Sequence, residues 1–238
     1  YYACQWSRAF EEKRNCVMNV LIVYAHPEPL SFNNALLQIA TQTLEAQGHT
    51  VVVSDLYAQG FEPRISRDDF TGQPADPDVL NIPREQNHAF EAKTLAPDIQ
   101  QEQQRLAMAD LVIFQFPLWW FSVPAILKGW VDRVFTRGFA YAQGRKYDTG
   151  LFQGKRAMVG TTTGTSADTY APDGIDGDIL TVLWPIHNGI FRYTGFDVLP
   201  PHVAYMPGRL DATARETELN AYKKRLLTLD DTPHLFFH

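Results

Sequence analysis

Cysteine is nearly absent. The 238 residues contain two, Cys4 and Cys16, both ahead of Met18. From Met18 onward neither a disulfide framework nor a thiolate zinc site can be built, and Cys4 and Cys16 could pair only with each other. A basic surplus is also lacking: Lys and Arg number 21 against 27 Asp and Glu, a formal charge of -6. That balance argues against a protein that tracks nucleic-acid phosphates. No apolar run is unbroken over the length of a membrane span. The nearest, residues 111–127, is interrupted by Gln115, Pro117, Ser122 and Pro124. It reads as a strand, a turn and a helix starting near Pro124, where a missing N–H costs nothing. Glycine motifs of nucleotide folds are missing too, since there is no G-x-G-x-x-G and Gly154-Lys155 lacks the Ser/Thr of a P-loop. Neither G-x-S-x-G nor H-E-x-x-H occurs, which excludes a serine-hydrolase elbow and a zincin-type metal site.

What is present suits a soluble enzyme. The hydrophobic fraction is 45% and the charged fraction 20%. A chain of this length buries roughly 70% of its unfolded surface as one domain. The aromatic share, 13%, is high. Residues 1–17 look foreign to the rest and read as an upstream extension or expression remnant, ahead of one domain over residues 18–238. The expected compartment is cytoplasmic, with no membrane span and no nucleic-acid partner.

Asn19 to Ala25 (NVLIVYA) is the continuous apolar run of a strand buried on both faces. Ser31 then caps a helical pattern that Gly48 stops, and Thr50 to Leu56 reads as a second buried strand. Residues 57–97 are polar, proline-punctuated and weakly periodic, an excursion of the length usually tied to function or an interface. A helix over Asp98–Met108 follows, then strand Asp110–Phe116, helix Pro124–Phe135 and strand Lys155–Thr162. Helix Ile179–Thr194, strand Phe196–Val203 and helix Ala212–Leu229 complete the chain. The alternation predicts a three-layer α/β/α fold around a doubly wound, five-stranded parallel sheet in the flavodoxin-like order.

Ligands of such sheets bind beyond the carboxyl ends of the strands. After strand one, His26, Ser31 and Asn33 surround a helix N-terminus, which is either an ordinary Ser cap or an anion site. After strand three come Pro117, Leu118, Trp119, Trp120, Phe121 and Ser122. Three consecutive aromatics cannot all enter one core, so they face a flat apolar ligand, pack under the long excursion, or meet a second subunit. After strand four, the run from Gly160 to Ser166 offers hydroxyls and backbone N–H groups. Together the three tips outline a slot of flavin shape.

Several strings resemble the NAD(P)H:quinone oxidoreductases of the DT-diaphorase type. They are HPEPLSFN (26–33), DLVIFQFPLWWFSVPAILKGWVDRVF (110–135), FAY (139–141), TTG (162–164) and LWPI (183–186). The likeness runs from about Met18 to the end and includes residues 54–72. It implies a flavodoxin-like homodimer that holds FAD rather than FMN, with two active sites at the subunit interface. By this resemblance His26, Ser31, Phe32 and Asn33 hold the pyrophosphate. Pro117, Leu118, Trp119, Trp120 and Phe121 line the isoalloxazine, and Thr162, Thr163, Gly164 and Thr165 meet its pyrimidine side. Tyr170 and Gly164 take the catalytic positions, and Arg215 reaches the adenosine half. Trp120, Phe121 and, from the partner, Tyr141, Gln143 and Tyr193 wall the substrate slot. The implied reaction is ping-pong: NAD(P)H gives hydride to flavin N5 and leaves, and a quinone then takes its place and both electrons.

The sequence departs from the family where charge matters. Asp176 stands at a family histidine, so its carboxyl must be protonated, turned away or solvated to tolerate a reduced flavin. Gln143 replaces a slot tyrosine and Thr165 a glycine, while Asn188 and Arg192 replace the paired histidines of the zinc-binding branch, implying no metal. Two other classes compete. One is a regulatory flavoprotein docking on a partner such as a potassium-efflux system, and the other is an FMN electron carrier of flavodoxin type.

Overall fold

The computed structural model describes residues 17–236. Cys4, Cys16 and nearly all of the segment read as an upstream extension lie outside the described residues. The elements in order are β1 (Asn19–Tyr24), α1 (Phe32–Ala46), β2 (Thr50–Asp55), α2 (Ile82–Ala92), α3 (Pro97–Met108), β3 (Leu111–Pro117) and α4 (Ala125–Val134). Then come β4 (Arg156–Thr163), α5 (Ile179–Val182), α6 (Trp184–Ile186), β5 (Asp197–Val198), β6 (His202–Tyr205) and α7 (Ala212–Leu227).

Period-two alternation divides the core into two layers. Leu21, Val23, Val112, Phe114, Phe116, Ala157 and Val159 face one side of the sheet, where Leu106, Trp130, Val134, Leu183 and Phe191 cover them. Val20, Ile22, Leu111, Ile113 and Met158 face the other side, beneath Leu36, Leu44, Tyr222 and Leu226. Strands buried on both faces have no polar positions to alternate, so β1, β3 and β4 read as unbroken apolar runs. The sheet is parallel throughout, in the order β2-β1-β3-β4-β5, with β6 also pairing β4. This is the flavodoxin-like order, and it brings the tips of β1, β3 and β4 side by side.

Four features differ from the sequence expectation. The fifth strand is two short pieces, because Pro200 and Pro201 carry no N–H for the ladder. β5 pairs Arg156 and Ala157, and β6 pairs Gly160 to Thr163. β2 is an edge strand, half-buried rather than buried: Val51 and Val53 pack inward while Val52 is exposed. The excursion contains helix α2, capped by Asn81, whose largely polar sequence buries Glu85, Gln86 and Ala89. The predicted helix 179–194 changes winding, running through α5 and α6 into π-helical turns at His187–Arg192.

The excursion is fastened to α4. Arg133 donates to Asp69 at 3.0 Å, to Asp98 at 2.6 Å and to the Glu62 carbonyl at 2.8 Å. Gly129 lets Pro63 approach, since a Cβ there would lie within 3 Å of the Pro63 backbone. Among the described residues no helix is long and apolar enough to cross a membrane.

Candidate functional site

A cleft of about 540 Å³ opens at the carboxyl ends of β1, β3, β4 and β6. Its first wall is the start of α1. The Ser31 hydroxyl accepts from the Asn34 N–H at 3.1 Å, leaving the Phe32 and Asn33 N–H groups without acceptors among the described residues. Unpaired N–H groups at a helix N-terminus favour an anion. His26 lies beside them. Its Nδ1 accepts the Glu28 N–H at 3.0 Å, and burial holds its pKa below the ordinary histidine value. The ring is therefore neutral at pH 7, and Nε2–H is left as a donor.

The second wall is the tip of β3. Ser122 N–H donates to the Trp119 carbonyl at 3.1 Å, closing a tight turn. Its central residues, Trp120 and Phe121, have φ of +51° and +58°. Two consecutive left-handed residues suit Asn-Gly in a type I′ turn, and each non-glycine held there costs about 1–3 kcal/mol. The strain turns Trp120 outward, 95% exposed, with Trp119 and Phe121 also exposed. Behind them runs an aromatic row: Phe121 to Tyr170 at 6.2 Å and Tyr170 to Tyr205 at 6.0 Å between ring centroids. Trp119 meets the His26 ring at 6.0 Å, joining the first two walls.

The third wall is the end of β4, with Thr162, Thr163 and Gly164 in the cleft. The Thr163 hydroxyl donates to the Thr165 carbonyl at 2.8 Å. The Thr165 hydroxyl donates to Asp176 at 2.7 Å and accepts from Thr169 at 3.1 Å. Hydrogen bonding from the Thr169 and Thr165 hydroxyls holds the Asp176 carboxyl below the usual carboxylate range. Of the three states open to Asp176, the structure gives an ionised, partly exposed carboxylate tied to Thr165.

His26, Ser31, Phe32, Asn33, Pro117, Leu118, Trp119, Trp120, Thr162, Thr163 and Gly164 thus converge on one cleft. Phe121 and Thr165 adjoin it in sequence, and Tyr170 is buried against Phe121. The Asn33 side chain is buried, its oxygen accepting from Gln115 and its nitrogen donating to Thr162. Arg215 does not line the cleft. Its guanidinium donates to the Pro207 carbonyl at 3.0 Å and the Gly208 carbonyl at 3.4 Å, bracing a turn that does. Pro207 and Gly208 were not anticipated, because they follow β6, one strand beyond the tips that the sequence singled out. Tyr141, Gln143 and Tyr193 lie outside this cleft. Tyr141 and Tyr193 are near enough to interact electrostatically, and Tyr193 packs against Tyr147 at 5.5 Å.

At the position of the expected metal loss, Arg192 Nη1 reaches Asn188 at 3.4 Å. Its guanidinium lies over the rings of Tyr147 (5.5 Å) and Phe236 (4.7 Å). Among the described residues no group of three His, Cys, Asp or Glu is placed to hold a metal ion.

The family model of the flavodoxin-like fold matches residues 18–227. NAD(P)H dehydrogenase (quinone) 1 of Rattus norvegicus is 48% identical over 221 residues, 93% of this chain and 81% of that protein. Ribosyldihydronicotinamide dehydrogenase (quinone) of Homo sapiens is 48% identical over 210 residues, 88% and 91% of the respective chains. Among solved structures, a Klebsiella pneumoniae protein described as a candidate quinone reductase superposes with a TM-score of 0.89. It is 44% identical, with 93% of this chain and 88% of that one covered. The matches run through all the strands that build the cleft, and the chain belongs to the NAD(P)H:quinone oxidoreductases of the flavodoxin-like family.

Proposed function

We propose that this chain binds FAD in the cleft and uses NAD(P)H to reduce quinones by two electrons, as half of a homodimer. The observation that carries this reading is the convergence of three different chemistries on one cleft. Unpaired N–H groups and the neutral His26 donor suit phosphate, exposed indoles suit a planar ring, and Thr162 to Gly164 suit ring carbonyls. These residues fit a flavin nucleotide. The braced Pro207–Gly208 turn gives the cleft a further wall, and the choice of FAD over FMN rests on the family resemblance.

Bound flavin supplies a two-electron carrier that takes hydride from a nicotinamide and passes it to an acceptor. The protein's part is placement. Phe32 and Asn33 N–H groups with His26 fix the anionic end, while Trp119, Trp120 and Phe121 flank planar rings and exclude water. Orientation of that kind lowers barriers by several kcal/mol when reacting atoms are held close. Tyr170, which packs against Phe121 and Tyr205, would on this reading hold its phenol at the ring edge. A second copy contributing Tyr141, Gln143 and Tyr193 would close the side on which Trp120 stands bare.

The test is a spectrum of the purified protein, mass identification of the released flavin, and turnover of menadione with NADH and NADPH. A colourless protein that takes up neither flavin nucleotide refutes the reading. The exposed Trp120 also suits docking on another protein. Flavin-loaded protein with turnover far below about one per second would favour that role, since enzymes usually reach about 1–10³ per second.

A further inference from the structure

β3 is buried along its whole length, and its one polar side chain, Gln115, is fully enclosed. A buried amide must find partners for both its donor and its acceptor. Gln115 Nε2 donates to Asn33 Oδ1 at 3.0 Å, and Asn33 Nδ2 donates to Thr162 Oγ1 at 2.8 Å. All three side chains are buried. With its oxygen accepting from Asn33, the Thr162 hydroxyl still has a hydrogen to place, and the side of Thr162 left open is the cleft.

At the other end of the run, Gln115 Oε1 and the Tyr222 hydroxyl share the space that Gly160 leaves. Both lie within 3 Å of where a Cβ on Gly160 would stand, and neither has a partner among the described residues. The two bonds that are made share one sense, each amide nitrogen donating toward the cleft. Were Gln115 turned round, Asn33 would turn too and draw the Thr162 hydrogen inward.

We propose that Gln115 and Asn33 form a one-way hydrogen-bond chain that fixes Thr162 as a donor aimed at an acceptor oxygen of the ligand. Gln115 does not line the cleft and acts as a positioning residue. No proton moves along the chain; it decides only which way a hydrogen points. The inference rests on the flavin reading above for the identity of the ligand.

The test is the affinity of the full-length apoprotein for riboflavin and for FAD, followed by quenching of flavin fluorescence. The variants are Gln115→Met, Thr162→Val, Thr162→Ser and the Gln115→Met/Thr162→Val pair. Gln115→Met frees Asn33 to present its carbonyl to Thr162. It should weaken binding about 3- to 10-fold, as Thr162→Val does, which is the range of one neutral hydrogen bond. The double variant should bind no more weakly than either single, and Thr162→Ser should match the wild type. Equal losses for both ligands place the oxygen on the ring, and losses confined to FAD place it on a phosphate; either result supports the chain. Additive losses overturn it, as does Gln115→Met binding like the wild type. A loss of affinity that merely follows loss of stability in urea overturns it as well. Should Gln115→Met fail to fold, Gln115→Leu enters the same cycle. A wild-type chain that binds neither ligand refutes the flavin reading itself, whereas a binding wild type with additive variants refutes the chain alone.

Discussion

The carboxylate of Asp176 accepts the Thr165 hydroxyl at 2.7 Å. The charge is therefore fixed next to the third wall of the cleft, and it disfavours added negative charge nearby. Asp176→Asn keeps an acceptor for Thr165 but removes the charge. The bound flavin should then become easier to reduce, so its midpoint potential should rise. The rise should shrink in high salt, because a partly exposed charge is screened. A dye-equilibrium titration at two ionic strengths measures both. An unchanged potential would show that Asp176 is too remote to matter.

Nδ1 of His26 is occupied by the Glu28 N–H, which leaves Nε2–H as the ring's donor. His26→Ala deletes a donor suited to a charged phosphate, and hydrogen bonds to charged groups contribute about 1.5–3 kcal/mol. FAD retention should fall roughly tenfold or more, while riboflavin, which has no phosphate, should bind as before. Flavin occupancy after exhaustive dialysis reads the first effect and fluorescence titration the second.

Trp120 sits at φ +51° with its ring almost wholly in solvent. Its backbone is strained, and its side chain buries little within the chain. Trp120→Gly should therefore stabilise the isolated protein by about 1 kcal/mol, since glycine adopts this conformation freely. Quinone turnover should drop in the same variant. Urea unfolding and steady-state kinetics together reveal this opposition. A variant that loses stability would show that the indole makes contacts worth more than the strain.

His187 is buried, its Nε2 has no partner among the described residues, and burial lowers its pKa to about 4. The unfolded chain takes up a proton near pH 6.5 and the folded one does not until about pH 4. The depressed value gives stability that is present above pH 6.5 and is lost as the pH falls towards 4. Between pH 7 and 5 the loss should be about 2 kcal/mol. His187→Gln should flatten that part of the profile in urea titrations. An equally steep profile in the variant would assign the effect to other groups.

The legible and illegible parts of this chain divide on physical lines. β1, β3 and β4 were readable because strands buried on both faces leave continuous apolar runs, and α1 because Ser31 and Gly48 bracket a clear period. Eleven of the anticipated residues meet in one cleft because parallel strands deliver all their tips to the same edge. The break at Pro200 and Pro201 was written in the sequence, yet the flanking apolar residues masked it. Helix α2 escaped because its sequence is polar overall and part of what it buries, Glu85 and Gln86, is polar too. Arg215 carried no local sign that it would brace the Pro207–Gly208 turn. Positive φ at Trp120 and Phe121 leaves no trace in residue type at all, since neither residue favours it.

Gln115 also changes what the interior of this protein will tolerate. Most positions in a sheet centre can drift among aliphatics of similar volume with little penalty. On the proposal above, a library sorted only for soluble, folded chains would accept methionine at 115, whereas one sorted for tight flavin binding would rank it below glutamine. The two selections would part company in the middle of β3, at a place that a surface-and-core map marks as plain packing.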